Sequence, residues 1–475
     1  MSLIFVSGTF NVLHPGHLRL FRFAKECGDR LIVAVQSDRI AGTSAHVKEV
    51  LRLEGVQSIT WVDEAIIFDE PLIDLISRLR PDIVVKGKEH ERQVNPELEV
   101  LEKYGGALVF SSGENTFSSL DLIHKEFQLL NVDSISLPNE YLIRHQIKSE
   151  RLIEIVQQFA QLKVCVVGDL IVDEYITCEP LGMSQEDPTI VVTPIDSTRF
   201  IGGAGIVAAH AAGLGASVTF VSVSGNDASR GYALDGLAAA GVSTQLLLDD
   251  SRPTTLKQRY RSKGKSLLRV SHLHQGNISF ALQSKLLTAL EEALDGADLL
   301  VFSDFNYGCL PQPLVDQLVA MAKSRGVLSA ADSQSSSQLG DISRFKGVDL
   351  ITPTEREARI STRNREDGLV VLAEQLRQQA SAHNVLLKLG EEGLLIHAAD
   401  ESGDSWLTDR VGALNSSPKD VAGAGDSLLI TSAMTLVCGG SIWEAACLGS
   451  LAAAVQVGRV GNTPLTSEEL LRELS

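Results

Sequence analysis

Short apolar runs alternate with amphipathic stretches along most of this chain. Leu3-Ile4-Phe5-Val6-Ser7 reads as a buried strand, residues Gly8 to Gly16 as a turn-rich loop, and Leu18–Cys27 as a helix. Arg30–Val35, Asp82–Val85 and Ala107–Phe110 are further strand-like runs, with a helical pattern over Pro71–Arg80. Unbroken apolar runs of this length suit strands covered on both faces. Their alternation with helices predicts a doubly wound, Rossmann-like parallel sheet that ends near residue 130.

Residues 131–139 are polar and include Pro138, which reads as a linker. Tyr141–Leu162 then carries Leu142, Ile143, Ile147, Leu152, Ile153, Ile155, Val156 and Phe159 at helical spacing, the pattern of a docking helix with one apolar face. A second α/β unit begins at Lys163–Asp169. Strand-like runs recur at Val218–Val223, Leu299–Ser303, Leu328–Ala331, Leu350–Thr352 and Val385–Leu389. Helical patterns cover Ala281–Leu294, Leu369–Ala380, Leu428–Val437 and Trp443–Val457. The expected organisation is residues 1–130, a connecting segment 131–162, and a larger unit 163–475.

The totals narrow the function. A chain of 475 residues with 44% apolar content has room for two or three full cores. A formal charge of −18 argues against a nucleic-acid or anionic-membrane surface, so an anionic substrate must be met by a local basic cluster. The six cysteines form no C-x-x-C pair, which fits reduced thiols in a cytoplasmic protein. The apolar run at Leu3–Val6 is too short for a signal peptide, and no run reaches the length of a membrane span.

Candidate chemistry sits at the mouths of helices. In Asp420-Val421-Ala422-Gly423-Ala424-Gly425-Asp426-Ser427, glycines let backbone amides approach an anion, and the helix that follows adds partial positive charge. A carboxylate at Asp426 opposes phosphate binding but suits removal of a proton from a hydroxyl that attacks phosphate. The plainer reading is a tight turn with Asp426 as helix cap. Asp173, just past the strand at Val164–Val167, is placed to accept from substrate hydroxyls, and Gly202-Gly203-Ala204-Gly205 opens a small-residue helix. Lys257, Arg259, Arg261, Lys263 and Lys265 recur with period two, so a strand or hairpin would show them on one face, as a basic lid or as a solvated hairpin. Gly264-Lys265-Ser266 is no P-loop, because Arg259 stands at the first glycine position. In the N-terminal half, His14-Pro15-Gly16-His17 places two imidazoles between a strand and a helix, where they could donate to phosphate oxygens. A metal pair is the rival reading, without ligand partners at suitable spacing.

Ser7-Gly8-Thr9-Phe10-Asn11-Val12-Leu13-His14-Pro15-Gly16-His17 resembles the signature of the cytidylyltransferase-like nucleotidyltransferases, and the likeness continues through Gly28–Asp38 and Pro81–Gly87. The resemblance implies that His14, His17 and Lys86 stabilise nucleotidyl transfer. It also implies that Thr9, Phe10 and Asn11 contact the nucleotide and that Ser118 and Ser119 meet its triphosphate. Asn11 replaces the usual Asp, and Val47-Lys48-Glu49 do not reproduce the family's arginine-bearing helix, for which Lys48 or Arg52 would have to compensate.

The C-terminal motifs resemble the ribokinase-like carbohydrate kinases. That likeness implies Asp426 as catalytic base, Gly423, Ala424 and Gly425 as anion hole, and Gly390 and Gly393 in a nucleotide-contacting T-x-G-x-x-G-like turn. It implies Glu357 as an indirect Mg²⁺ residue and Asp173, Gly202, Gly203, Lys257, Arg259 and Asp304 at the substrate. The two halves together resemble the bifunctional heptose kinase/nucleotidyltransferases of lipopolysaccharide precursor synthesis, in inverted order. Ile206 and Gly182 stand where that family has Asn and Arg, so a changed sugar pocket is expected. The implied ligands are a sugar or sugar phosphate, ATP and Mg²⁺ for the kinase half, ATP or CTP for the other, and a monovalent cation. A homodimer is implied as well. The alternative is an active kinase joined to a catalytically silent nucleotide-binding module.

Overall fold

A computed structural model describes the chain except residues 1, 12, 14, 88–94, 112–134, 263–264, 335–339 and 400–405. The chain divides into two compact units, Met1–Asp133 and Ser134–Ser475.

In the first unit, β1 (Leu3–Gly8), β2 (Arg30–Gln36), β3 (Glu64–Phe68), β4 (Ile83–Gly87) and β5 (Ala107–Ser111) form a parallel sheet in the order β3-β2-β1-β4-β5. Successive side chains face opposite sides. Ile4, Val6, Leu31, Val33 and Val35 pack with Phe21 on one face, and Phe5, Ile32, Ala34 and Val84 pack with Leu75 and Ile76 on the other. The strand order reverses between β1 and β4, which places a crevice at their C-terminal ends. Strand β3 is not evident in the sequence, because it is short and begins with Glu64 at the sheet edge.

The second unit holds a nine-stranded sheet, ordered β10-β9-β6-β13-β14-β15-β16-β17-β18. Its members are β6 (Lys163–Gly168), β9 (Ser217–Ser224), β10 (Ser243–Leu248), β13 (Leu299–Asp304), β14 (Leu328–Ser333), β15 (Leu350–Ile351), β16 (Asn384–Lys388), β17 (Leu394–Ala399) and β18 (Trp406–Val411). All pairings are parallel except β16–β17 and β17–β18. A separate four-stranded lid, ordered β12-β11-β7-β8, is built from β7 (Leu170–Met183), β8 (Ile190–Gly203), β11 (Thr255–Ser262) and β12 (Lys265–His272).

Two differences from the sequence pattern matter. Tyr141–Leu162 is not one helix but two, Asn139–Arg144 and Ser149–Gln158, followed by a 3-10 turn at Phe159–Gln161. Gln146, two residues past the first helix, takes a φ of 55°, and Ile143 within that helix is exposed. Tyr141, Leu142, Leu152, Ile155, Val156 and Phe159 are buried in the core of the second unit. The basic stripe also divides: Lys257, Arg259 and Arg261 lie on β11, while Lys265 begins β12. Lys263 is outside the described residues. Among the described residues, no helix is long and apolar enough to cross a membrane.

Candidate active sites

In the second unit, Gly423 takes a φ of 77°, a left-handed conformation that glycine adopts without strain. It is the N-cap residue of the helix Ala424–Val437, so Asp426 falls in that helix's first turn and does not serve as its cap. Asp426 is buried, and Gln334 Nε2 donates to its Oδ1 at 3.3 Å. Burial, reinforced by Asp332, pushes its pKa up to about 7. A carboxylate so tuned exchanges a proton near neutral pH, as a general base must.

Asp426 lines a cavity of about 850 Å³ together with Gly423, Ala424 and Gly425. Asp173, Gly203, Lys257, Arg259, Glu357, Gly390 and Gly393 share the same wall. Leu394, Leu414, Ala453, Ala454 and Val457 give it an apolar stretch. Gly202 stands behind the wall; a Cβ there would collide with the Asp173 carboxylate. Arg259 forms an ion pair with Asp173 Oδ1 at 3.3 Å. Burial outweighs Arg259 and Lys257 and leaves the Asp173 pKa raised. Lys257 Nζ sits 4.8 Å from the Phe305 ring centroid and 5.2 Å from that of Tyr307. The lid thus turns cations and a buried carboxylate into one cavity, a pairing that suits a hydroxyl-rich ligand bearing negative charge.

Asp304 is not on the cavity wall. It is buried, with its carboxylate accepting from Arg344 at 2.9 Å, Ser333 at 2.8 Å and the Asn306 amide at 3.1 Å. Its neighbour Asp169 accepts from the amides of Phe305, Tyr307 and Cys309, and burial together with Asp304 raises its pKa to about 6. Ile206 is buried and also absent from the wall.

Several cavity residues escaped the sequence reading. Lys388, at the end of β16, donates to Asp332 Oδ1 at 2.9 Å. Asn462 lines the cavity with an Oδ1 that is buried without a hydrogen-bond partner among the described residues. Asp332, buried behind Lys388 and off the wall, was findable as a carboxylate at the C-terminal end of a parallel strand, where ligands of open sheets gather. Asn462 gave no comparable signal.

Thr354 caps the helix Glu355–Thr362, and Glu357 Oε2 accepts in return from the Thr354 amide at 2.7 Å. Among the described residues, no group of three acidic, His or Cys side chains could cage a metal. Mg²⁺ needs no such cage when phosphates carry it, since it keeps waters and touches one or two carboxylates. Glu357, on the wall, fits that mode.

In the first unit, the loop after β1 and the end of β4 meet at the crevice. Phe10 takes a φ of 51° and packs edge-on to His17, with ring centroids 5.1 Å apart. Thr9 Oγ1 donates to Gln36 Oε1 at 2.9 Å. Asn11 Nδ2 donates to the Ser44 carbonyl at 2.6 Å, and its Oδ1 accepts from the His46 amide at 2.9 Å. Arg52 is buried and donates to the carbonyls of Val47 and Thr9 and to Asp38, so it holds the loop instead of facing a ligand. Lys86 Nζ lies 2.8 Å from Glu97 Oε1 and 2.9 Å from Asn95 Oδ1. His14, Ser118 and Ser119 lie outside the described residues.

Residues 161–469 match the pfkB family carbohydrate kinase model. The chain belongs to the pfkB family of carbohydrate kinases. Residues 5–129 match the Cytidylyltransferase-like model. The Bifunctional protein HldE of Desulfatibacillum aliphaticivorans is 31% identical over 324 residues, 67% of this chain and 64% of that protein. The HldE of Stutzerimonas stutzeri is 32% identical over 317 residues, 66% of this chain and 64% of that protein. The chain thus matches about 64% of the length of these relatives. Ribokinase from Thermotoga maritima superposes with a TM-score of 0.52 at 21% identity, covering 66% of this chain and 99% of its own. Phosphofructokinase-2 from Escherichia coli gives 0.53 at 16% identity, covering 66% and 98%. The pfkB kinase unit therefore has the expected ribokinase-like fold.

Proposed function

We propose that the chain is a bifunctional enzyme of nucleotide-activated sugar synthesis. Its pfkB unit phosphorylates a heptose-like sugar or sugar phosphate with ATP, and its N-terminal unit joins a sugar phosphate to a nucleotide from ATP or CTP, releasing pyrophosphate. The observation that carries the kinase reading is the buried Asp426 beside Gly423–Gly425 at a helix mouth, in a cavity that also receives Lys257 and Arg259. Asp426 takes the proton of a sugar hydroxyl. That oxygen bonds to the γ-phosphorus of ATP, the bond from phosphorus to the bridging oxygen breaks, and ADP leaves. The first-turn amides offset the charge on the transferred group. Glu357, through water, would meet a phosphate-borne Mg²⁺, whose contribution is charge neutralisation. Asp173 and Arg259 orient the sugar, and the apolar wall at Leu394, Leu414 and Val457 receives the base of the nucleotide.

For the N-terminal unit, His17 and Lys86 near the β1–β4 crevice, with His14, support transfer of a nucleotidyl group. Exposed Leu181, Met183, Ile195 and Leu268 on the lid strands support pairing of two copies through the lids. All six cysteines are free thiols, which supports a cytoplasmic setting.

A panel of sugars and sugar phosphates, assayed for ADP formation with ATP and for pyrophosphate release with ATP or CTP, tests both halves. ADP formation without pyrophosphate release, with nucleotide still bound at the N-terminal unit, would leave the silent-module alternative standing.

A further inference from the structure

The cavity wall contains one cation that the kinase scheme above does not use. Lys388 closes β16, and its side chain is 14% exposed. It does not point away from the anion hole: a Cβ built on Gly425 would lie 3.1 Å from Lys388 Nζ. The ammonium therefore rests against the first turn of the helix that carries Asp426. Around it stand three carboxylates, Asp332, Glu357 and Asp426. Burial disfavours its charge, but Asp332, Glu357 and Asp426 outweigh that and its pKa is raised. An ammonium has three donors. Among the described residues, Asp332 Oδ1 at 2.9 Å is the one hydrogen-bond acceptor that Lys388 has, so two donors remain for a ligand.

We propose that Lys388 is a further catalytic residue of the kinase unit, binding the phosphoryl group in transit from nucleotide to sugar. This rests on the kinase reading given above. An ammonium beside helix-terminal amides makes a composite phosphate site: the amides supply direction, and the lysine supplies a full charge in a water-poor setting. Asp332 acts as a positioning residue, holding Lys388 over Gly425. Where the sequence resembles the T-x-G-x-x-G turn, Lys388 occupies the Thr position, and a hydroxyl there would bring no charge. A lysine that served the core alone would need only its pair with Asp332 and no place on the cavity wall.

The test is calorimetric binding of ADP and of β,γ-imido-ATP, both with Mg²⁺, to the full-length chain and to Lys388→Met. Nucleotide held by the N-terminal unit contributes alike to both proteins. The expected result is an imido-ATP affinity at least tenfold weaker, ADP affinity changed less than threefold, and a fall in kcat that exceeds any change in KM for the sugar. Equal losses for both nucleotides, or no loss for either in a folded variant, would overturn the assignment of Lys388 while leaving the kinase reading intact. No ADP binding by the unmodified chain would overturn both. Should Lys388→Met fail to fold, the double replacement with Asp332→Asn removes both halves of the ion pair and is read by the same measurements.

Discussion

The Tyr175 hydroxyl donates to Asp420 Oδ2 at 2.9 Å, and this joins the lid to the loop that enters the catalytic helix. The same hydroxyl accepts from Arg259 at 2.7 Å. Asp420 in turn accepts from the amides of Ala422 and Gly461, each at 3.1 Å. The lid strands and the loop that leads into the helix Ala424–Val437 therefore share one hydrogen-bonded chain. Tyr175→Phe keeps the edge contact with Phe200 and deletes both hydrogen bonds of the hydroxyl, to Asp420 and from Arg259. The expected cost to stability is about 1 kcal/mol. The sugar KM should rise, and a double-mutant cycle with Asp420→Asn should show that the two losses are not additive. Additive losses would sever the link.

As the proposed base, Asp426 should set the pH dependence of the kinase. With a pKa near 7, the base form accumulates as pH rises, so kcat/KM should climb to a plateau with a midpoint near 7. Stability runs the other way. The folded-state pKa lies above the ordinary carboxylate value of about 3.9, so the protonated form favours folding. That contribution is complete below about pH 4 and is lost as pH rises through 7. Asp426→Asn should lower phosphoryl transfer by about 10²–10⁴-fold and leave ADP bound. It should also make thermal melting less pH-dependent between pH 4 and 8. Retained turnover in the Asn variant would remove Asp426 from the mechanism.

Asn462 lines the cavity between Gly202 and Gly423. Its Oδ1 is unpartnered among the described residues, and its Nδ2 lies 3.4 Å from where a Cβ on Gly202 would stand, beside Asp173. Asn462→Ala should raise the sugar KM about tenfold, as expected when a hydrogen bond to a hydroxyl is lost, with KM for ATP unchanged. Thermal melting should not fall, because the truncation removes a buried acceptor that lacks a partner. An altered ATP KM with an unchanged sugar KM would place Asn462 at the nucleotide instead.

Asn11 is not an aspartate in waiting. Its amide nitrogen donates to the Ser44 carbonyl, a bond that a carboxylate would replace with repulsion. Asn11→Asp should destabilise the N-terminal unit by about 1–3 kcal/mol, read as a lower melting temperature. It should not raise the rate of pyrophosphate release, and a rise would show that the missing charge limits turnover.

Local pattern carried much of this molecule. The apolar runs gave both α/β units, and small residues at 423–425 announced the helix mouth, because backbone approach needs glycine at the site itself. Asp173, Lys257, Arg259 and Glu357 lie on the cavity wall. Strand β3 was lost because an edge strand needs little apolar surface. What the tertiary structure alone decided is pairing between residues distant in sequence. Asp304 turns to Arg344 and Ser333 and away from the cavity, Arg52 is consumed by the loop it supports, and Tyr175 finds Asp420 across the chain. Lys388 and Gly425 likewise come together only on folding. A charged side chain's role depends on which opposite charge or carbonyl lies within a few ångströms. Sequence spacing fixes that distance within one strand or one helical turn, and folding fixes it everywhere else.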